Sequence, residues 1–273
     1  MTLPAAAINI ISFGIDKPSP RVKPLGLWKS LLFFWVPSLY SWLAIYGILP
    51  RMIGAGISTY WSFMLVLTSL TLVLFVSSLV AFRLEGNPLT WAALKERFRL
   101  TPIRGSTWLW LALLIAMIPL YVLLREGVSK PIAQIPALSP PGFLPAVLDP
   151  RVSQTSIPTM FMDIPMRGAW FLLPMQLVTL FFNIYGEEFW WRGYILPRQE
   201  KVFGKWTWLV HGLLWASFHS FWWWDVPAIL PGALLVSFVA QKTRSTTPGI
   251  VWHWVNNGLT LVVLAFGILG LSI

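Results

Sequence analysis

The chain has no cysteine among its 273 residues. Disulfide frameworks, thiolate metal sites and cysteine nucleophiles are therefore excluded, and the redox state of its compartment is not legible. Charge is also scarce. Asp, Glu, Lys and Arg together make up 11% of the residues, where a soluble globular chain has roughly 25%. So few charged side chains cannot solvate the surface of a protein this size. Disorder is excluded from the other direction, because disordered chains are poor in apolar groups. This chain is 56% hydrophobic, with a mean hydropathy of +0.69. Internal repeats and low-complexity tracts are missing too. What remains is a chain solvated mainly by lipid.

The charge that is present is unbalanced, with 20 Lys and Arg against 10 Asp and Glu, a net +10. In a soluble protein that excess would suggest nucleic acid, but no nucleic-acid module is present. Basic residues that hold cytoplasmic loops against anionic lipid explain it better. The 18 tryptophans agree, since indole rings favour the membrane–water interface. The first residues, MTLPAAAINIISFGID, form a short apolar run with no basic residue before it. That pattern argues against a cleaved signal and predicts a short interfacial stretch.

Crossing the hydrocarbon core takes about 20 mostly apolar helical residues. About seven stretches qualify: residues 28–49, 60–82, 106–124, a fourth from 168, 206–224, a short one at 226–240, and a seventh from Pro248 onward. The expected fold is an all-α, polytopic membrane helix bundle with its site in a cavity between helices. Two regions are expected. Residues 1–167 hold three spans, a basic segment at 83–105 and a proline-rich segment at 125–167 whose proline density should prevent a continuous helix. Residues 168–273 hold the remaining four spans. The positive-inside rule places the N-terminus in the cytoplasm. Lys17, Arg21, Lys23, Lys29, the 83–105 segment, Arg198, Lys201, Lys205, Lys242 and Arg244 then lie inside. Arg51, the proline-rich segment and Asp225 lie outside. The protein is thus expected to be a multi-pass membrane protein, of the plasma membrane in a prokaryote.

Ionisable groups inside a span are expensive and usually mark function. They fall into three clusters. The first is Glu187, Glu188 and Arg192, late in the fourth span. Glu188 and Arg192 are spaced i,i+4, which lets them pair on one helix face. Glu187 has no such partner, which suits a group that must accept and return a proton. The second cluster is Trp215 to His219 in the fifth span. The third is His253 and Asn257, again i,i+4, early in the seventh. A lone histidine in a helix more often packs than catalyses, and His211 reads that way, as an interface or packing residue. Depth fits poorly: at about 1.5 Å per residue, Glu187, His219 and His253 lie roughly 15, 20 and 8 Å from the cytosolic end. Tilt or different helix ends must reconcile them.

In order, these clusters resemble the motifs of the CPBP intramembrane proteases, a family that includes CAAX prenyl proteases and bacteriocin-processing proteins. Glu187, Glu188 and Arg192 match its Glu-Glu-x-x-x-Arg motif, and His253 and Asn257 its His-x-x-x-Asn motif. His219 ends the second motif, with Trp215 where the family pattern usually has phenylalanine. The resemblance covers residues 168–273. It implies an intramembrane endopeptidase in which Glu187, helped by His219, activates a water. It further implies that Glu188 pairs with Arg192 to shape the site, and that His253 and Asn257 stabilise the oxyanion. The implied partners are membrane lipids and a membrane-associated or lipidated protein or peptide substrate, with no nucleic acid. No cofactor is required on this reading. Glu187, His219 and His253 could hold Zn²⁺, but no His-Glu-x-x-His helix is present, and a glutamate-type mechanism is preferred. The alternative is a non-catalytic immunity or chaperone-like protein that binds a peptide on the same scaffold. A transporter, which would need a polar path across the membrane, is a weaker reading. The Trp222-Trp223-Trp224 run reads as an interfacial anchor rather than the lining of a lipid groove.

Overall fold

A computed structural model describes residues 22–152 and 156–271. Lys17, Arg21 and the expected interfacial stretch lie outside the described residues, as do the last two residues of the seventh span. Each of the seven apolar stretches falls on a helix. They are α1 (Leu27–Gly54), α2 (Thr59–Leu84), α4 (Thr107–Gln134), α5 (Leu172–Glu188, continued to Phe203), α6 (Thr207–Phe218, continued to Trp222), α7 (Val226–Thr243) and α8 (Thr247–Leu269). A short helix, α3 (Trp91–Arg97), lies in the basic segment and is capped by Thr90 Oγ1, which accepts from the Ala93 N–H. Five helices, α1, α2, α4, α7 and α8, are long and apolar enough to cross a membrane. The other long helices, α5 and α6, carry polar residues of the first two motifs. The protein is an all-α integral membrane bundle.

The two ends of the bundle are built differently. At one end, short links join the helices through ionic and backbone bonds. Arg97 pairs with Glu85 at 2.6 Å and donates to the Gly193 carbonyl at 2.8 Å. Arg99 pairs with Glu200 at 2.6 Å, and its carbonyl accepts from the Thr246 N–H. Behind these pairs sits an aromatic floor, with Phe34 stacked on Trp191 at 4.3 Å and Phe98 on Phe189 at 4.8 Å between centroids. At the other end, a proline-rich cover lies over the helices. It includes a two-stranded hairpin, β1 (Met160–Phe161) and β2 (Ile164–Pro165). The hairpin turn offers Asp163 to the first N–H groups of α2, Thr59 and Tyr60, at 2.8 and 2.9 Å. These donors have no partner within their own helix, so a carboxylate there satisfies them and meets the positive end of the dipole.

Two expectations change. The proline-rich segment forms no continuous helix, as expected, but the third span ends later than its apolar run: α4 continues through a wide π-helical stretch at Arg125–Ser129 and ends at Gln134. Pro131 can be accommodated because the widened turn relieves the clash a proline ring makes with the preceding turn. Nor is the tryptophan run simply an interfacial anchor. Trp224 is fully buried. Trp223 stacks on Trp42 at 5.4 Å and donates its indole N–H to the Leu138 carbonyl at 2.8 Å. Its polar edge is used to fasten the cover.

Candidate active site

Glu187 and Glu188 end the regular turns of α5, and a π-helical stretch, Phe189–Ile195, follows at once. Such stretches often mark functional sites, because the extra residue re-aims the neighbouring side chains. The residue before the pair is Gly186, where α5 crosses α2 closely. A Cβ there would lie 2.4 Å from the Thr71 carbonyl oxygen, so only glycine lets α5 come this near.

Glu187 is held by neutral donors. The Asn183 amide donates to Oε1 at 2.9 Å, and the Trp215 indole N–H donates to Oε2 at 3.0 Å. Asn183 is in turn fixed by Asn257, whose amide donates to it at 2.8 Å, and Asn256 donates to Asn257 at 2.9 Å. Two of the sequence motifs thus meet through a residue neither contains. His219 sits where α6 ends and a 3₁₀ turn, His219–Trp222, begins. Its Nδ1 lies 2.9 Å from the Trp215 carbonyl. A carbonyl only accepts, so the proton is on Nδ1 and Nε2 keeps its lone pair. Nε2 lies 4.0 Å from Glu187 Oε2, too far for a direct hydrogen bond.

Glu188 is held by a guanidinium and an imidazole and is fully buried. Its Oε1 lies 3.2 Å from Arg192 Nη1 and 3.2 Å from His253 Nδ1. The pair expected from the i,i+4 spacing is present as a close contact without hydrogen-bond geometry. The Arg192 guanidinium also lies over the Trp215 ring at 3.8 Å. Glu188 Oε2 points at α8: a Cβ on Gly249 would sit 2.6 Å from it. The carboxylate therefore rests against the first turn of α8, whose free N–H groups favour negative charge.

Glu187, His219, His253, Asn257 and Asn183 all line one cavity of about 520 Å³. Glu188 and Arg192 stand behind its wall. The depth mismatch is resolved, since the acid–histidine contacts show that the three helices bring their polar residues to one level. His211 lies elsewhere, buried, with Nδ1 2.6 Å from Gln199 Oε1. The donor set does not fit zinc. Among the described residues no three His, Asp or Glu side chains converge tightly enough to hold a metal, and His253 is turned to Glu188. Spacing within one helix pointed to Glu188 and Arg192, whereas Gly186 and Gly249 gave no signal of their own. Asn183 was findable as a polar residue one turn before Glu187.

A polytopic helix bundle with an acid, a histidine and amides gathered in an internal cavity has the make-up of an intramembrane hydrolase. Residues 169–259, about a third of the chain, match the family model described as Type II CAAX prenyl endopeptidase Rce1-like. The match contains every residue of the three motifs and supports a CPBP-family intramembrane protease. None of the curated proteins compared matches the chain. No solved structure matches it either.

Proposed function

We propose that the protein hydrolyses a peptide bond of a membrane-associated substrate with a water activated by Glu187, without a metal. The observation that carries this is the 4.0 Å separation of Glu187 Oε2 and His219 Nε2 inside the cavity. Both atoms are acceptors with His219 neutral. A water between them would donate one hydrogen to each and keep its lone pairs for the scissile carbonyl. Glu187 takes the proton as the water attacks and returns it to the leaving amine. His253, turned by Glu188 through Nδ1, makes no hydrogen bond at Nε2. In its protonated form it would donate from that atom to the oxyanion, and Asn257 would do so from its second amide hydrogen. The matched family is described as CAAX prenyl endopeptidases, a substrate class stated for that family.

Glu187→Gln keeps the shape and removes the base. Membrane proteomes of cells carrying the native chain and this variant should differ by an uncleaved precursor in the variant. If the variant matches the native chain in cleavage and phenotype, hydrolysis is wrong and the peptide-binding reading stands.

A further inference from the structure

The cavity is not centred in the bundle. Along α5 its wall is the stripe Gln176, Thr179, Leu180, Asn183 and Glu187, and nothing beyond Glu187. That stripe begins one turn from the end of α5 under the cover. The wall takes residues 63–71 from α2, 215–222 from α6 and 228–232 from α7, in each case the half toward the covered end. From α4 and α8 it takes the middle, 117–125 and 252–260. Its roof is Val147, Leu148, Phe161 and Met162 of the cover. No described residue of the ionic end lines it. Between Glu187 and that end stand the stacked aromatic floor and the Arg97–Glu85 and Arg99–Glu200 pairs.

The charges say which side each end faces. Residues 22–29, 83–104, 198–205 and 242–244, all at the ionic end, carry twelve basic and three acidic side chains. Residues 51–58, 125–171 and 222–225, at the covered end, carry five and four. An asymmetry of that size places the ionic end in the cytoplasm.

We infer that the cavity is entered from the extracytoplasmic side, and that its substrate is an extracytoplasmic peptide segment lying extended along the α5 stripe. This rests on the reading of the cavity as the hydrolytic site. The stripe suits such a ligand. Gln176 sets an amide on the same helix face above Glu187, and apolar residues such as Leu67, Met117 and Leu120 line the cavity with it. Gln176 and Glu187 are about 16 Å apart along the helix, which an extended chain spans in about five residues.

The missing cysteines make the test direct, because each single-cysteine variant has one reactive thiol. Gly232→Cys reports on the cavity wall, where a Cβ meets only Trp252 at 3.6 Å. Leu148→Cys reports on the roof and Lys201→Cys on the ionic end. Full-length variants in right-side-out and inside-out vesicles are treated with a charged, membrane-impermeant methanethiosulfonate. Gly232→Cys and Leu148→Cys should react in right-side-out vesicles, and Lys201→Cys only in inside-out ones. Met117→Cys replaces Gly232→Cys if the latter does not fold. Reaction of the cavity thiol from the same face as Lys201→Cys, or only with a lipid-soluble maleimide, would overturn the inference. Labelling reads access whether or not the chain hydrolyses anything, so its failure is distinct from failure of the Glu187→Gln test.

Discussion

Glu187 and Glu188 are neighbours in sequence and live in different chemical worlds. Glu187 meets the cavity and is held by an amide and an indole, neither of which is charged. Glu188 meets no cavity and is held between a guanidinium, an imidazole and a helix N-terminus. A carboxylate among neutral donors can take up a proton without breaking an ion pair. One beside a guanidinium is its counter-charge, and removing either partner would strand the other in a fully buried position. The same side chain thus serves as a reactive group in one place and as a fixed counter-charge one residue later.

That contrast can be tested at four strengths. Glu187→Gln should lower turnover about 10²–10⁴-fold, the usual worth of a general base, with little change in melting temperature in detergent. On the other side of the contrast, Arg192→Met should cost about 3–5 kcal/mol of stability by stranding Glu188. The double variant Glu188→Gln/Arg192→Met should recover part of that in the same unfolding measurement. A smaller effect is expected of Trp215→Phe, which keeps the ring under Arg192 and removes only the N–H to Glu187. Turnover should fall about tenfold, the equivalent of one hydrogen bond, with stability nearly unchanged. Equal turnover would show that Glu187 needs no second donor. Smallest is Asp163→Asn at the cover, at about 1 kcal/mol for a weakened helix cap. Burial works against the Asp163 charge, but the Ser58 hydroxyl and the Tyr60 and Thr59 N–H groups outweigh it and hold the carboxyl below its ordinary range. Its contribution is therefore full at neutral pH and is lost as pH falls through the folded value. Acid unfolding curves of native and variant chains should converge there.

Much of this was readable in the residues because lipid imposes a simple rule. A long apolar run must be helical, so the seven helices on apolar runs were legible, and the short α3 in the basic segment was not. Polar residues within those runs stood out against the background, which is why Glu187, His219, His253 and Asn257 could be named together. What escaped were features set by neighbours distant in sequence. Nothing local to Gly186 or Gly249 tells that Thr71 or Glu188 approaches. Trp215 read as a stand-in for phenylalanine, yet its N–H, which phenylalanine lacks, is bonded to Glu187. The tryptophan run was read only in part, because composition reports affinity for an interface and is silent on a carbonyl waiting at Leu138. Helix depth counted from drawn ends placed Glu187 too shallow, because its helix runs on to Phe203.

The turn that carries His219 leans on the first helix. Trp35 bonds Ser217, Ser38 and Trp42 bond Ser220, and Tyr46 bonds the Phe221 carbonyl. None of these four donors or acceptors on α1 belongs to the segment that matches the family. The recognisable third of the chain is therefore not a transplantable module. Grafted elsewhere or expressed alone, it would carry all its signature residues and lack the splint that sets one of them. Chimeras between relatives should exchange α1 and the His219 turn together or not at all.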